Sequence, residues 1–307
     1  MASTLRIGVI GTGHLGRHHV RILASMPETE LVGIYDQKPE VAAALAQEHG
    51  TRSCRNPEEL WDDAEAIVLA VPTFAHASIG QETLERGLHL MVEKPMASSL
   101  DEADAMLAAA GPDQVLAVGH VEFYNPAVQA LLSLGETPRF LEAQRLSAFT
   151  PRSLDVDVIL DLMIHDLQLL HALDPSPIAE IRATGIDVLS AKVDIASARI
   201  ELESGTTANI TASRVSAEPV RKLRVFLRQR YFSIDYREQE IKGFGLQDAG
   251  DKKVILPEEI SAEPKEPLRA ELDAFVAACL GREVPYVTGA AGRRALATAL
   301  AVRDAIG

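Results

Sequence analysis

Residues 5–19 read LRIGVIGTGHLGRHH and decide how the first part of the chain folds. The apolar run 5–10 is rich in isoleucine and valine, which predicts a buried strand of a parallel sheet. A G-x-G-x-x-G loop follows at residues 11–16, and a helical stretch begins at His18. A strand, a glycine loop and a helix in this order predict a binding site for a dinucleotide pyrophosphate.

Each glycine of this loop has its own predicted task. Gly11 makes the tight turn, Gly13 leaves room for the phosphates, and Gly16 lets the helix pack close to its strand. The helix N-terminus then offers unpaired N–H groups to the anion. We therefore assign the whole loop to cofactor binding, namely Gly11, Thr12, Gly13, His14, Leu15 and Gly16.

A second apolar run, beginning at residue 31, ends at Asp36, twenty positions after Gly16. An acid at this distance is expected to bind a ribose hydroxyl of the adenosine half. Its charge would repel a 2′-phosphate, so Asp36 favours NAD, while Lys38 nearby leaves NADP as the weaker alternative. The competing interpretation is an ordinary strand–turn–helix with a surface aspartate.

The composition limits the classes of function. The 307 residues are 47% hydrophobic and 24% charged, which suits a globular protein of one large or two ordinary domains. The net charge of −14 argues against nucleic acid or an anionic membrane surface as a partner. No apolar run reaches the length of a membrane span, and residues 1–4 leave no room for a signal peptide. Cys54 and Cys279 lie far apart, so we expect reduced thiols in a cytoplasmic protein.

The order of predicted elements indicates two domains of an α/β protein. Strands and helices alternate over residues 1–119, which predicts a Rossmann domain with a doubly wound parallel sheet. A predicted helix over 155–173 and alternating strand runs then indicate an α+β substrate and oligomerisation domain over 120–307, with an open, mostly antiparallel sheet. Two closing helices can pack back on the first domain. Residues 243–267 carry glycines, prolines and charges, so we expect them to be the most flexible part.

Two motifs end predicted strands of the first domain, where ligands bind in such sheets. Lys94, in the VEKP of residues 92–95, is expected near the nicotinamide, and Pro95 fixes the backbone after it, with a cis bond as one option. A salt-bridged surface lysine is the alternative. The VPT of residues 71–73 and His76 are expected to line the cofactor crevice, with a structural histidine as the alternative for His76. These residues complete the predicted cofactor set with Val71, Pro72, Thr73, His76, Glu93 and Lys94.

Asp161 and His165 are four positions apart on the predicted helix, so they share one face. Oxidation of a hydroxyl group needs a base for the O–H proton, and histidine titrates in the right range. A lysine beside a positive nicotinamide can share that work. The alternatives are an amphipathic helix with an ion pair and a metal site; we predict no metal, because hydride transfer to NAD needs none.

Together these pieces resemble the Gfo/Idh/MocA oxidoreductase family over nearly the whole chain. GTGHLGRHH is similar to the cofactor loop of the family. The segment from VPTFAH to EKP is similar to the stretch that joins two of its motifs. DLMIHD is similar to its D-x-x-x-H helix. The resemblance implies that Lys94, Asp161 and His165 are catalytic. It also implies a homodimer or homotetramer formed through the open sheet of the C-terminal domain.

Residues 119–126, GHVEFYNP, look like the G-H-x-E-R-F-N-P of a nucleotide-sugar branch, which includes UDP-N-acetylglucosamine 3-dehydrogenases. That likeness implies a set of substrate-binding residues, namely Lys94, His120, Phe123, Asn125, Arg152, Asp161 and His165. Forked arginine side chains suit a diphosphate. Five arginines are available for that purpose, with solvated sheet faces as the alternative: Arg145, Arg152, Arg214, Arg221 and Arg224.

The sequence therefore leads to one main hypothesis and two alternatives. The main hypothesis is an NAD-dependent dehydrogenase that acts on a sugar ring hydroxyl, with a UDP-amino sugar oxidised at C3 as the best substrate. The first alternative is a free-sugar or polyol dehydrogenase. The second is a regulatory protein that binds a dinucleotide without turnover, because fold does not settle function.

Overall fold

The computed structural model describes residues 4–150, 156–250 and 252–307. Contacts within the chain divide it into two compact units. Unit 1 comprises Met1–Val121 and Leu268–Arg293, and unit 2 comprises Glu122–Pro267 and Arg294–Gly307. The first helix of the closing pair thus belongs to the same unit as the glycine loop.

The strands form two separate sheets. The first sheet contains β1 (Leu5–Ile10), β2 (Thr29–Tyr35), β3 (Ala66–Leu69), β4 (His89–Glu93) and β5 (Leu116–Gly119). The second sheet contains β6 (Phe140–Leu146), β7 (Ile178–Ile186), β8 (Ile195–Leu202), β9 (Thr207–Ser213), β10 (Val220–Phe226), β11 (Arg230–Asp235), β12 (Glu240–Ala249) and β13 (Lys252–Glu258).

The helices are distributed between the strands and at the end of the chain. They are α1 (Gly16–Leu23), α2 (Pro39–His49), α3 (Glu58–Trp61), α4 (His76–Glu85), α5 (Leu100–Ala109), α6 (Pro126–Leu132), α7 (Ile164–Leu173), α8 (Pro267–Cys279) and α9 (Gly289–Asp304). Two 3₁₀ turns cover Thr73–Ala75 and Val121–Tyr124, and a π-helical turn covers Ile159–Met163. Among the described residues, no helix is both long and apolar enough to cross a membrane.

Unit 1 confirms the predicted doubly wound sheet. All of its strand pairs are parallel, in the order β2-β1-β3-β4-β5. Ile7 and Val9 of β1 are fully buried in its core, where they share one apolar cluster with Leu272 and Phe275 of α8. Burying a side chain such as Phe275 contributes about 1.5–3 kcal/mol, so α8 helps to hold unit 1 together.

Unit 2 confirms the predicted mostly antiparallel sheet. Its order is β13-β12-β11-β10-β6-β9-β8-β7, and β6 with β9 is the parallel pair. Buried and more exposed residues alternate along β8, so one face of the sheet is packed and the other is open. The π-helical turn contacts β9. The packed face therefore meets the segment that carries Asp161.

The first half of residues 243–267, the segment expected to be the most flexible, lies largely in paired strands, and its flexibility stays a prediction. The chain forms a regular hairpin there, with β12 paired to β13. The glycines that suggested a loop serve close packing instead, because a Cβ on Gly243 would meet the ring of Phe232 and one on Gly245 would meet the carboxylate of Glu258. A glycine inside a strand marks such a close approach.

The predicted continuous helix over 155–173 also needs correction. A π-helical turn precedes α7, and Asp157 caps it, because Asp157 Oδ1 accepts hydrogen bonds from the amides of Ile159 and Leu160 at 3.0 and 2.9 Å. The predicted start of the helix at Asp155 lies outside the described residues. Single π turns inside helices are frequent at functional sites.

Candidate active site

The carboxyl ends of β1 and β3 border a cavity of about 230 Å³ in unit 1. The order of the sheet reverses between these two strands, and such a switch point is where open α/β sheets bind ligands. Five residues predicted to bind the cofactor line it, namely Gly11, Gly13, Asp36, Val71 and Pro72.

The glycine loop is shaped by contacts that only glycine permits. Gly11 has a positive φ of 92°, and a Cβ there would lie 2.5 Å from the carbonyl oxygen of Ala70. A Cβ on Gly16 would collide with the carbonyl of Gly11. A Cβ on Gly13 would meet nothing within 4 Å, so space is open where a phosphate group would approach. His14 and Leu15 are exposed beside this opening.

Asp36 is held in place by the loop itself. Its Oδ2 accepts hydrogen bonds from the backbone amide and the hydroxyl of Thr12 at 2.7 and 2.9 Å, and its Oδ1 accepts one from the amide of Lys38 at 2.9 Å. Burial opposes ionisation, but these hydrogen bonds outweigh it and lower the pKa of Asp36. The carboxylate is therefore ionised, and a ribose hydroxyl would meet a preorganised acceptor.

The apolar wall of the cavity includes a residue that motif reasoning did not assign. Phe74 is 75% exposed and stands between Pro72 and Ala75 on the cavity rim. The signal in the sequence is an aromatic residue directly after the VPT motif. That its side chain is exposed beside the cavity is visible only in the structure. Together, the open space at Gly13, the fixed Asp36 carboxylate and this apolar wall fit a dinucleotide.

His76 connects two loops at the edge of the cavity. Its Nδ1 lies 2.9 Å from the carbonyl oxygen of Pro95, and its Nε2 lies 2.9 Å from that of Val71. Burial lowers the pKa of His76, although both carbonyls oppose this. The ring nitrogens therefore face the protein backbone, and His76 fixes the loop that carries Thr73 relative to the segment after Lys94.

Lys94 follows β4 directly, and its peptide bond to Pro95 is cis. The preceding carboxylate, Glu93, lies 2.8 Å from Nε2 of the buried His19 and accepts a 3.3 Å hydrogen bond from the amide of Lys94. His120 is also buried, and burial together with the charge of Lys94 lowers its pKa to about 3. Lys94 thus stands in unit 1 beside a neutral imidazole.

The second predicted catalytic group lies in unit 2. Asp161 is part of the π-helical turn, and His165 is in the first turn of α7 with 8% of its surface exposed. Asp161 lies in a π-helical turn, so the four-residue spacing to His165 does not have regular α-helical geometry. That Asp161 and His165 share one helix face therefore stays a prediction. Within the described parts of the chain, no three His, Cys, Asp or Glu side chains are arranged to hold a metal ion.

The residues of the GHVEFYNP motif have different surroundings. The side chain of Asn125 caps α6 by accepting from the amide of Ala127 at 3.1 Å and donates to the carbonyl of Tyr236 at 2.9 Å. Phe123 is half-buried and packs edge-on against Tyr124. Arg152 lies outside the described residues. Substrate contacts by all of these residues stay predictions.

Two of the four remaining arginines do not fit the suggested role in binding a diphosphate. Arg145 is buried and forms ion pairs with Asp166 at 2.9 Å and Glu122 at 2.6 Å. Arg214 is also buried, 2.8 Å from Asp194. These two arginines are internal because each balances buried carboxylates, which a sequence pattern cannot reveal.

The two arginines of β10 are more exposed. Arg224 pairs with Glu142 at 2.9 Å, and 41% of its side chain is accessible. Arg221 is 47% exposed, and its nearest ion-pair distance is 3.8 Å, to Glu122. Arg221 therefore combines an accessible guanidinium with a position next to the buried network around Arg145.

The fold and the cavity define a dinucleotide-binding protein, and comparison with known proteins narrows the class. Residues 5–120 match the model of the Gfo/Idh/MocA family, described as an oxidoreductase family with an NAD-binding Rossmann fold. The chain is 38% identical to UDP-N-acetylglucosamine 3-dehydrogenase of Acidithiobacillus ferrooxidans, with 98% of this chain and 97% of the relative covered.

Solved structures agree with this relation. The structure of the same Acidithiobacillus ferrooxidans enzyme superposes with a TM-score of 0.91 at 37% identity, covering 99% of this chain and 98% of the other. Levoglucosan dehydrogenase in complex with NADH shares the fold, with a TM-score of 0.87 at 19% identity and coverage of 99% and 97%. The chain belongs to the Gfo/Idh/MocA family of NAD-binding oxidoreductases, which confirms the predicted family, fold class and cofactor.

Proposed function

We propose that this protein is an NAD-dependent dehydrogenase that oxidises a ring hydroxyl of a UDP-N-acetylglucosamine-type nucleotide sugar at C3. The observation that carries this proposal is the 38% identity to UDP-N-acetylglucosamine 3-dehydrogenase across 98% of the chain. The matched stretch covers both unit 1, with its predicted cofactor site, and unit 2, with its predicted substrate site. The presence of Lys94, Asp161 and His165 together supports turnover rather than a purely regulatory role.

The chain's own residues have distinct roles in the proposed reaction. Bound NAD supplies the acceptor for the hydride. The single proton of the substrate hydroxyl would pass to one base, either His165 or Lys94, and Asp161 would act as the positioning residue. The glycine loop would hold the pyrophosphate of the cofactor, and Asp36 would accept hydrogen bonds from its ribose hydroxyls. His120 stays neutral, so it acts as a hydrogen-bonding group and not as an acid.

An anionic substrate is supported by the exposed guanidinium of Arg221. Most of the protein is acidic, with a net charge of −14, so a diphosphate needs local cationic groups. Arg221 is half exposed and incompletely neutralised by Glu122. We assign it to the substrate diphosphate, and Arg152 stays the second predicted contact.

The experiment that tests the function is a thermal-shift screen with parallel detection of NADH absorbance. The ligands are NAD, NADP, UDP, UDP-N-acetylglucosamine and inositol. A ligand at about 100 times its Kd stabilises the folded state by about 2.7 kcal/mol, which gives a measurable rise in Tm. We expect stabilisation by NAD and by UDP compounds, and NADH formation from UDP-N-acetylglucosamine.

Two other results of this screen would contradict the proposed function. Turnover of inositol without stabilisation by UDP would establish the polyol alternative. Stabilisation by NAD without NADH formation from any sugar would favour the regulatory alternative.

We further propose that the protein forms a homodimer or homotetramer through the open face of the unit 2 sheet and acts in the cytoplasm. The two cysteines support the compartment, because neither Cys54 nor Cys279 forms a disulfide in the described part of the chain. The open face supports the assembly, because an aromatic row crosses it. The row consists of Phe140, Phe226, Tyr231 and Phe244.

A further inference from the structure

A buried polar network lies directly behind His165 in unit 2. The guanidinium of Arg145 donates from Nε and one terminal nitrogen to the two oxygens of Asp166 at 2.9 and 3.0 Å. Its other terminal nitrogen donates to Glu122 Oε1 at 2.6 Å. The hydroxyl of Tyr236 donates to Asp166 Oδ1 at 3.2 Å, and its ring lies 4.9 Å from the Arg145 guanidinium carbon. We call these four residues the Arg145 network.

The network joins elements that are far apart in the chain. Arg145 lies in β6, near the middle of the eight-stranded sheet. Glu122 belongs to the 3₁₀ turn after β5, and Tyr236 directly follows β11. Asp166 is in the first turn of α7, immediately after His165. Arg145 of the sheet thus binds α7 at Asp166, the residue next to the predicted catalytic histidine.

The chemistry of the network favours orientation over simple stability. Replacing a buried ion pair by apolar groups is often neutral or stabilising, so such a pair is weak evidence of a role in stability. The bidentate contact of a planar guanidinium with a carboxylate fixes an angle as well as a distance. Asp166 cannot rotate about the axis of α7 without breaking one of these two parallel hydrogen bonds, and His165 turns with it.

We propose that Arg145 is a positioning residue that sets the direction of His165 through its bidentate contact with Asp166. This inference rests on the proposed catalytic role of His165. A misplacement of about 1 Å in an active site can reduce turnover about 100-fold. The π-helical turn before α7 makes the external restraint useful, because the turn that precedes His165 departs from regular α-helical geometry.

The test replaces Arg145 by Lys, which retains the charge and removes the fork. Arg224→Lys is the matched control, because Arg224 forms an ion pair on the neighbouring strand and is far more exposed. We expect Arg145→Lys to fold, to bind NAD with unchanged Kd and to lose kcat about 10- to 100-fold. In a sample with ¹³C-labelled histidine, the imidazole resonances of His165 should shift in Arg145→Lys and stay in place in Arg224→Lys.

The same experiment separates this inference from the proposed function. A folded Arg145→Lys protein with unmoved His165 resonances would overturn the positioning role, whatever its activity. If His165→Ala retained full activity, the catalytic role of His165 would fail, yet the resonance shift would still report whether Arg145 orients the ring. Should Arg145→Lys not fold, Tyr236→Phe takes its place: it removes one hydrogen bond to Asp166, and we expect a smaller shift of the same resonances; no shift would overturn the proposal.

Discussion

Lys94 is half-buried and directly follows β4. Its amide contacts the Glu93 carboxylate, and the charge of its side chain helps to keep the buried His120 neutral. The cofactor loop lies on a different strand of the same unit. Removal of the Lys94 amine should therefore affect chemistry more than cofactor binding.

We predict that Lys94→Ala lowers kcat by about 10²- to 10⁴-fold, the usual contribution of a general acid or base. The Kd for NAD, measured by isothermal titration, should stay within a few-fold of the unaltered protein. Lys253→Ala, at an exposed lysine of β13, is the control and should keep its turnover. Full activity of Lys94→Ala would remove Lys94 from the proposed mechanism.

Glu271 is a second buried acid in unit 1, on α8. It is 1% exposed, and neither of its carboxyl oxygens makes a hydrogen bond to any described residue. Burial and the nearby charge of Glu93 raise its pKa well above the ordinary value of 4.5. The folded protein therefore keeps a proton that the unfolded chain releases as the pH rises above 4.5, so this group makes stability fall with increasing pH.

Glu271→Gln should remove this pH dependence, because the amide has the same shape and cannot ionise. We predict that its stability relative to the unaltered protein improves as the pH rises above 4.5, the ordinary pKa of the group. Urea denaturation at several pH values measures this difference. The exposed Glu203→Gln serves as the control, and an equal response of both variants would show that Glu271 is not held in its neutral form.

At the scale of elements, the β12–β13 hairpin shows how glycine supports a strand. The ring of Phe232 on β11 is fully buried and occupies the space above Gly243 on the paired strand. The hairpin extends the sheet by two strands, and its outer face carries exposed Phe244 and Ile255. The glycines are therefore part of the packing and do not mark a loop.

Gly243→Ala should destabilise unit 2 because the new methyl group collides with the Phe232 ring. Overpacking of this kind typically costs about 1–3 kcal/mol. Lys242→Ala, one residue earlier with an exposed side chain, should change stability by no more than about 0.5 kcal/mol. Urea denaturation followed by circular dichroism compares the two variants; equal stabilities would contradict the packing role of Gly243.

At the scale of the whole molecule, the open face of the unit 2 sheet carries a row of aromatic side chains that a monomer would expose to solvent. Phe140 and Phe226 have ring centroids 5.5 Å apart, and Phe226 and Tyr231 have theirs 4.9 Å apart. Phe244 continues the row opposite Tyr231, and Ile255 on β13 is 72% exposed. Large contiguous apolar patches on soluble proteins usually mark an interaction surface.

We predict that the double substitution Phe244→Glu and Ile255→Glu lowers the mass measured by light scattering after size-exclusion chromatography. Two charges on the apolar face would be desolvated in an interface, which opposes assembly. Val188→Glu, at an exposed apolar residue before β8, should leave the mass unchanged. A double variant with the mass of the unaltered protein would show that this face is not the interface.

The sequence by itself determined the order of strands and helices in unit 1 and the location of the glycine loop. Local chemistry carried these predictions, because Gly11 and Gly16 meet backbone requirements that other residues do not, and Gly13 leaves space open beside the loop. The acid at Asp36 followed from spacing along a single strand–helix–strand unit.

Only the tertiary structure decided the features that depend on distant contacts. Arg145 is one of the arginines that the sequence offers for a substrate diphosphate. In the folded chain its guanidinium is buried and paired with carboxylates at residues 122 and 166. Glu271 joins Glu93 across 178 positions, the difference between their residue numbers. Position 243 requires glycine because the ring of Phe232 occupies the space that a Cβ would take. Periodicity and motifs report neighbours along the chain, whereas burial of charge and close packing are set by elements that meet after folding.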